Sequence, residues 1–304
     1  MRDADARSLI RFGRSGVFTV SILAQVLVNG LTLSAIYILV SLGFTLLFGI
    51  MKVVNFAHGA FAMLGGYALL YFYQEFHLPF AVAIILAPLV VAVLGLVLEW
   101  LVFRHFYQRM LQSMIGLIGL DLVLVYGAVL LWDVYERSIP PAIDGIVRVG
   151  SALVPGNRLL IVAIAAVVLF AFGIFISRSR WGLAMRAASL DLEIAQTQGI
   201  PARRVYVIAF LLAVGLTALA GALYAQTYAL SPFMGARPLM VAFIVAILGG
   251  MGSIPGAALG GLLLGFSESF LSTFFGASAS QFVSFAVVIG LLIFRPWGLM
   301  GKPE

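Results

Sequence analysis

Hydrophobic residues gather along this chain in blocks at about 17–48, 59–73, 79–102, 112–132, 159–177, 205–228, 238–250, 256–274 and 279–294. Several blocks approach or exceed the ~20 residues that a helix needs to cross a hydrocarbon core. They are apolar on every side instead of alternating, which favours helices over the short alternating strands of a barrel. The pattern predicts an all-α integral membrane protein: a polytopic bundle of about eight membrane segments with broken or re-entrant helices, forming one transmembrane domain over residues 1–304. One strongly polar passage interrupts it. From Ser177 to Tyr206 the chain carries five arginines and two carboxylates, while Leu159–Ile176 and Val207–Leu223 on either side carry no charge.

Composition sharpens this picture. With 63% apolar and 10% charged residues, the chain lacks the polar surface that keeps a globule in water. Its 32 glycines are spread through the apolar blocks, as expected where helices approach closely. There is no cysteine, so disulfides and thiolate chemistry are excluded. The three histidines, His58, His77 and His105, have no metal-ligand spacing. The net charge of +6 reflects arginine-rich connectors facing anionic headgroups and does not point to nucleic acid.

Arginine counts orient the blocks. Residues 1–16, the turn Arg104–Arg109, the loop 178–204 and the tail with Arg295 and Lys302 are the basic connectors and are expected in the cytoplasm. The charge-balanced stretch Asp133–Arg158 suits the outside, with Trp132 at the interface. Three blocks between the basic tail and Arg104 give an odd number of crossings. A re-entrant hairpin over Gly43–Tyr73, with its apex at Val53–Gly59, restores parity; the rival is an N-terminus outside and a first helix that crosses once. A second broken hairpin is expected over Leu239–Phe275, with its apex at Gly249–Gly256. The two halves then share one order, which suggests an internal duplication joined by the two middle helices.

Backbone that leaves the helix at membrane depth is tolerated where protein or a watery cavity satisfies it. The residues at the two apices, Asn55 and His58 in one and Gly249, Gly250, Gly252 and Ser253 in the other, are therefore candidate linings of a pathway. Capping by Asn55 and a satisfied core histidine at His58 are the plainer readings. Gln25, Asn29 and Thr32 share one helical face, expected to look inward. Glu99 is expected to pair with Arg104, five residues on. Asp121 and Glu268 are intramembrane carboxylates that could serve a proton, an ammonium group or a structural bond. Neither lysine, Lys52 or Lys302, belongs to a phosphate-cradling Gly-x-x-x-x-Gly-Lys pattern, and no catalytic triad can be assembled.

The passage RAASLDLEIAQTQGIPARRV resembles the coupling loop of ABC importer permeases, with Arg186–Gln196 as a helix, Gly199 as its stop and Ile200 with Pro201 as the exit. The stretches Asn29–Tyr67, with its NFAHG string, Ile247–Gly265, with GGMGSIPG, and the tail Arg295–Glu304 resemble the LivH-type permeases of branched-chain amino acid importers. The resemblance spans nearly the whole chain. It departs in one place: the first position of the Glu-Ala-Ala pattern common in importer permeases is Arg186 here.

This resemblance implies a permease subunit without its own ATP site, multi-pass in the bacterial cytoplasmic (inner) membrane. It implies a second LivH- or LivM-like permease, two cytoplasmic ABC ATPases that hold ATP and Mg, and a periplasmic or extracellular substrate-binding protein. Arg186, Ala187, Ala188, Asp191, Glu193, Gly199, Ile200 and Pro201 become ATPase contacts. No cofactor is expected on this chain. Branched-chain or other small apolar amino acids are the expected cargo; urea or short amides in the same family, and a stand-alone secondary transporter using Asp121, Glu268 or His58 as an ion relay, are the alternatives. An intramembrane enzyme has only those scattered residues behind it.

Overall fold

The computed structural model describes residues 2–107, 109–149, 152–295 and 297–301. The elements run α1 (Arg2–Met51), α2 (His58–Leu70), continued by a π-helical turn Tyr71–Glu75, α3 (Phe80–Leu101), α4 (Met110–Trp132), the strands β1 (Ile146–Val149) and β2 (Ala152–Pro155), α5 (Gly156–Arg178), α6 (Arg180–Leu190), α7 (Leu192–Thr197), α8 (Ala202–Ala225), α9 (Ala236–Gly249), α10 (Ile254–Phe275) and α11 (Ala277–Phe294). Among the described residues, six helices are long and apolar enough to cross a membrane: α1 from Ile22, α3, α4, α5, α8 and α10. The bundle is the expected all-α one; among the described residues it adds one small antiparallel hairpin, β1–β2, in the 133–158 loop.

Two helices form the centre. The window of α1 that could span is 89% buried and that of α8 is 72% buried, against 17% for α4, so α1 and α8 are the core and α4 lies at the rim. Small residues make the core this tight. A Cβ on Gly65 of α2 would overlap the Ala218 carbonyl of α8, and one on Gly221 of α8 would overlap the Ala62 carbonyl of α2. Phe61, Phe103 and Phe210 fill the adjoining layer edge to face.

The two ends of the bundle can be told apart. At one end Asn29 of α1 accepts a hydrogen bond from Arg158 of α5, beside β2. Trp132, the last residue of α4, donates to the Tyr71 hydroxyl at 2.8 Å and stacks on Tyr67. At the other end Gly49 of α1 touches Gly252, in the α9–α10 turn, and both border a cleft lined by Met185, Arg186 and Ser189 of α6. The helix α1 thus runs from the β-hairpin end to the α6 end in one piece. This corrects the expectation that residues 1–16 and the loop 178–204 lie on one side: Arg2–Gly16 belong to a helix whose described portion starts at the opposite end from α6. The first helix crosses once, as in the rival reading. Lys302 lies outside the described residues.

An internal duplication is present, but its repeats are paired differently from expectation. The helix α1 packs on α10 and α9 as α8 packs on α3 and α2. The first repeat is α1, a break over residues 52–57, α2 and α3; the second is α8, a break over residues 226–235, α9 and α10. Since α1 descends from the hairpin end and α8 ascends from the α6 end, the repeats are inverted. The counterpart of the 52–57 break is therefore 226–235, and the turn at Gly249–Ser253 is an ordinary reversal at the α6 end.

Candidate functional site

Both breaks deliver the chain to the middle of the bundle. Lys52 adopts a left-handed conformation (φ 54°) and stops α1, after which Val53–Ala57 run back alongside it. His58, the first residue of α2, then places its Nε2 2.8 Å from the Val40 carbonyl. At ~1.5 Å per residue, Val40 stands about 16 Å from Asn29 and about 14 Å from Gly49, which is midway. Gly59, next in α2, meets Gly235, the residue before α9. Two half-helices thus start at mid-depth and point away from each other, each with its N-terminal N–H groups at the centre.

Beside this junction lies a half-open cavity of about 650 Å³, inside the range of about 300–1,000 Å³ usual for small-molecule sites. Its walls come from α1 (Phe44), the first break (Phe56), the second break (Phe233), and α9 (Leu239, Met240, Phe243). The far wall is α4, which contributes Leu122, Val125, Tyr126 and Asp121. The lining is apolar and aromatic, with Asp121 as the one charged side chain among the described residues. The Asp121 carboxyl stands close to the backbone N–H of Ala60, in the first turn of α2. Ala57, the residue before that turn, offers it no side-chain cap.

Several sequence candidates lie elsewhere. Gln25 and Asn29 border a crevice of about 220 Å³ at the hairpin end, and Thr32 donates to its own helix at the Val28 carbonyl. The shared face is real, but it meets Arg158 and β2 and not the central cavity. Gly249, Gly250, Gly252 and Ser253 form the α9–α10 turn at the α6 end. Gly250 and Gly252 take positive φ there, and Ser253 caps α10 by accepting from the Gly256 N–H at 3.1 Å. The segment 297–301 closes over this turn, with the Leu299 and Met300 N–H groups donating to the Leu248 and Gly249 carbonyls.

His58 is buried and bonded to Val40, with Thr217 near its ring and Phe44 edge-on, so it ties α1, α2 and α8 together. Asn55 is buried with neither side-chain atom partnered and does not cap α2. Glu99 also departs from expectation: it accepts from the Tyr107 hydroxyl, while Arg104 lies over the Trp100 ring at 4.7 Å. Burial first, and then that carboxylate, push the Tyr107 phenol well up, so it stays a donor. Glu268 is buried between Arg237 of α9, with which it forms an ion pair, and the Tyr37 hydroxyl of α1, which donates to it at 2.6 Å. Arg237 is the residue that sequence reasoning missed. Its signal was a lone arginine just before an apolar block, with an equally lone carboxylate at Glu268.

The polar loop forms two helices where one was expected over Arg186–Gln196. Asp191 divides them: its backbone is extended and its carboxylate caps α7, accepting from the Ile194 N–H at 2.9 Å. Gly199, at φ 81°, ends α7 as expected, and the Ile200 N–H returns to the Ala195 carbonyl. Pro201 then leads into α8. Arg186 and Glu193 are exposed, Ala187 is half-buried and Ala188 is buried against the bundle. Sequence reasoning passed over Leu190 and Ile194, which are 82% and 61% exposed beside Arg186 and Glu193.

A family model for the permease component of branched-chain amino acid transport systems matches residues 26–292. The chain belongs to this family of membrane permeases. It is 35% identical to the high-affinity branched-chain amino acid transport system permease protein BraD of Pseudomonas aeruginosa, over 92% of this chain and 96% of that one. It is 32% identical to LivH of Escherichia coli K12, with the same coverage of both chains. A probable LivH of Methanocaldococcus jannaschii is 27% identical, over 91% of this chain and 92% of that one. These names concern branched-chain amino acids and do not favour urea, short amides or an ion-driven carrier. No solved structure matches the chain.

Proposed function

We propose that this permease is one membrane subunit of an ABC importer for branched-chain amino acids in a bacterial inner membrane. The observation that carries the reading is the mid-depth cavity: apolar and aromatic walls for an aliphatic side chain, placed where two inverted half-helices begin. A second permease of the same kind closes its open side across α4 and α11. The substrate-binding protein docks at the β-hairpin end, and two ATPases dock at the α6 end, which is cytoplasmic.

Coupling follows from where α6 sits. Met185, Arg186 and Ser189 border the same cleft as Gly49 and Ile50 of α1 and Gly252 and Ile254 at the α9–α10 turn. A push on α6 from a closing ATPase pair is delivered to the ends of α1 and α10, one helix from each repeat. Phe44 of α1 lines the cavity, and α10 packs on α1 and α9, so the repeats rock against each other. ATP and Mg belong to the ATPases. Leu190 and Ile194 supply apolar contact to their groove, with Arg186 and Glu193 at its rim.

Purification of the tagged chain from its native membrane in mild detergent, followed by reconstitution with the recovered subunits, tests the reading. Recovery of ATPases and a second permease, with ATP-dependent leucine uptake, is the expected result. A chain recovered alone that moves amino acid down an ion gradient would overturn it.

A further inference from the structure

We infer that Asp121 is the group that receives the ammonium of the passing amino acid, which makes the central cavity a zwitterion site and not merely an apolar passage. The inference rests on the importer reading above and names a residue role within it.

The carboxyl of Asp121 stands at the rim of the cavity on α4, which is otherwise apolar there. The Ala60 N–H stands close to it. A carboxylate has about four lone-pair positions, and among the described residues no side chain pairs with this one. Capping one N–H does not require a charge. Ser, Thr or Asn on α4 would serve the same N–H, so the carboxylate is excess to the structural need. An unpaired carboxylate in an apolar cavity is costly unless it takes up a proton or an opposite charge visits it. The cargo of this permease brings one.

The placement of the second charge agrees. Ala60 follows Gly59, which touches Gly235 at the start of α9, and Gly235 and Ala236 line the same cavity. The positive end of α9 thus opens on the same cavity as Asp121, and a helix N-terminus favours a carboxylate. Ammonium on Asp121, carboxylate toward α9, and side chain among Phe44, Leu239 and Phe243 gives one orientation that uses each wall. The ion pair of Arg237 with Glu268 keeps that guanidinium turned toward α10 and out of the cavity, so it does not compete for the cargo.

The test uses the full importer in liposomes with its binding protein, comparing Asp121→Asn and Asp121→Glu. Asn keeps a polar group of the same shape beside the Ala60 N–H and removes the charge; Glu keeps the charge. The expected result for Asp121→Asn is a 10-fold or greater loss of leucine uptake, with binding-protein-stimulated ATP hydrolysis within about twofold of wild type, and recovery of uptake to within about threefold in Asp121→Glu. Uptake by Asp121→Asn within twofold of wild type overturns the inference while leaving the importer reading intact. Failure of the wild-type assembly to import leucine sinks the importer reading instead.

A second measurement covers poor assembly of Asp121→Asn. Because the chain has no cysteine, Leu122→Cys places a single thiol on this chain beside Asp121. Its maleimide labelling in the full importer should be slowed by millimolar leucine and not by 4-methylpentanoate, which has the same side chain and carboxylate without the ammonium. Equal protection by both, or by neither, overturns the role given to Asp121.

Discussion

Gly59 and Gly235 face each other where α2 and α9 begin, each so close that a Cβ on one would overlap the carbonyl oxygen of the other. Backbone is pressed on backbone there, so neither side can yield by turning a rotamer. Gly59→Ala and Gly235→Ala are each expected to destabilise by about 3 kcal/mol, the upper part of the usual range for overpacking. Gly173→Ala, in open space on α5, is expected to be neutral or slightly stabilising. Thermal unfolding of the purified complexes measures all three; an unchanged midpoint for either junction variant would contradict the close approach.

The Arg237–Glu268 pair is expected to behave as a partly buried one. Arg237→Met alone leaves a nearly buried carboxylate with only the Tyr37 hydroxyl, at a loss of about 2 kcal/mol, discounted from the ~3–5 kcal/mol of a fully buried pair because the arginine is a third exposed. Replacing both, as Arg237→Met with Glu268→Met, should recover most of that loss. A double-mutant cycle on the unfolding midpoint reads this, and a double variant weaker than both singles would refute it.

Leu190→Ser and Ile194→Ser remove exposed apolar surface from α6 and α7. The fold should keep its stability to within about 0.5 kcal/mol, as for ordinary surface changes. Retention of ATPase subunits during purification should fall several-fold. Wild-type retention by the double variant would mean that the loop docks by its charged residues alone.

Tyr107→Phe should leave Glu99 buried without its hydroxyl donor and cost about 1–3 kcal/mol. Arg104→Gln, by contrast, touches only the Trp100 stacking contact and should cost less than 1 kcal/mol. If the order of the two is reversed in a denaturation series, Glu99 is paired with Arg104 after all.

The blocks of the bundle, the break at NFAHG and the polar loop were legible because each is written in local composition: a run of apolar residues, an Asn-Phe-Ala-His interruption, a burst of arginine. The second break was not. Residues 226–235, QTYALSPFMG, hold no charge, and they merge with the apolar block ending near 228. Only the packing of α9 against α1, matching that of α2 against α8, reveals residues 226–235 as the counterpart of the first break. The side on which the N-terminus lies was misread for a related reason. Four arginines in residues 1–16 favour one face statistically, whereas the contact of Asn29 with Arg158 fixes the direction of α1. Likewise Gln25, Asn29 and Thr32 share a face by helical spacing, but spacing cannot say what that face meets.

The opposed directions of α1 and α8 carry one more consequence. If the first repeat took the shape now held by the second, and the second that of the first, the bundle would be turned end for end and its cavity would open toward the other side of the membrane. Nearly the same kinds of contact would be made in both states, by different residues. The energy gap between them is then set by sequence differences between the halves, such as Arg237 with Glu268 in one and His58 with the Val40 carbonyl in the other, and not by any gain or loss of packing. A molecule so balanced needs only a modest bias at one end to be thrown, and returns when that bias is withdrawn.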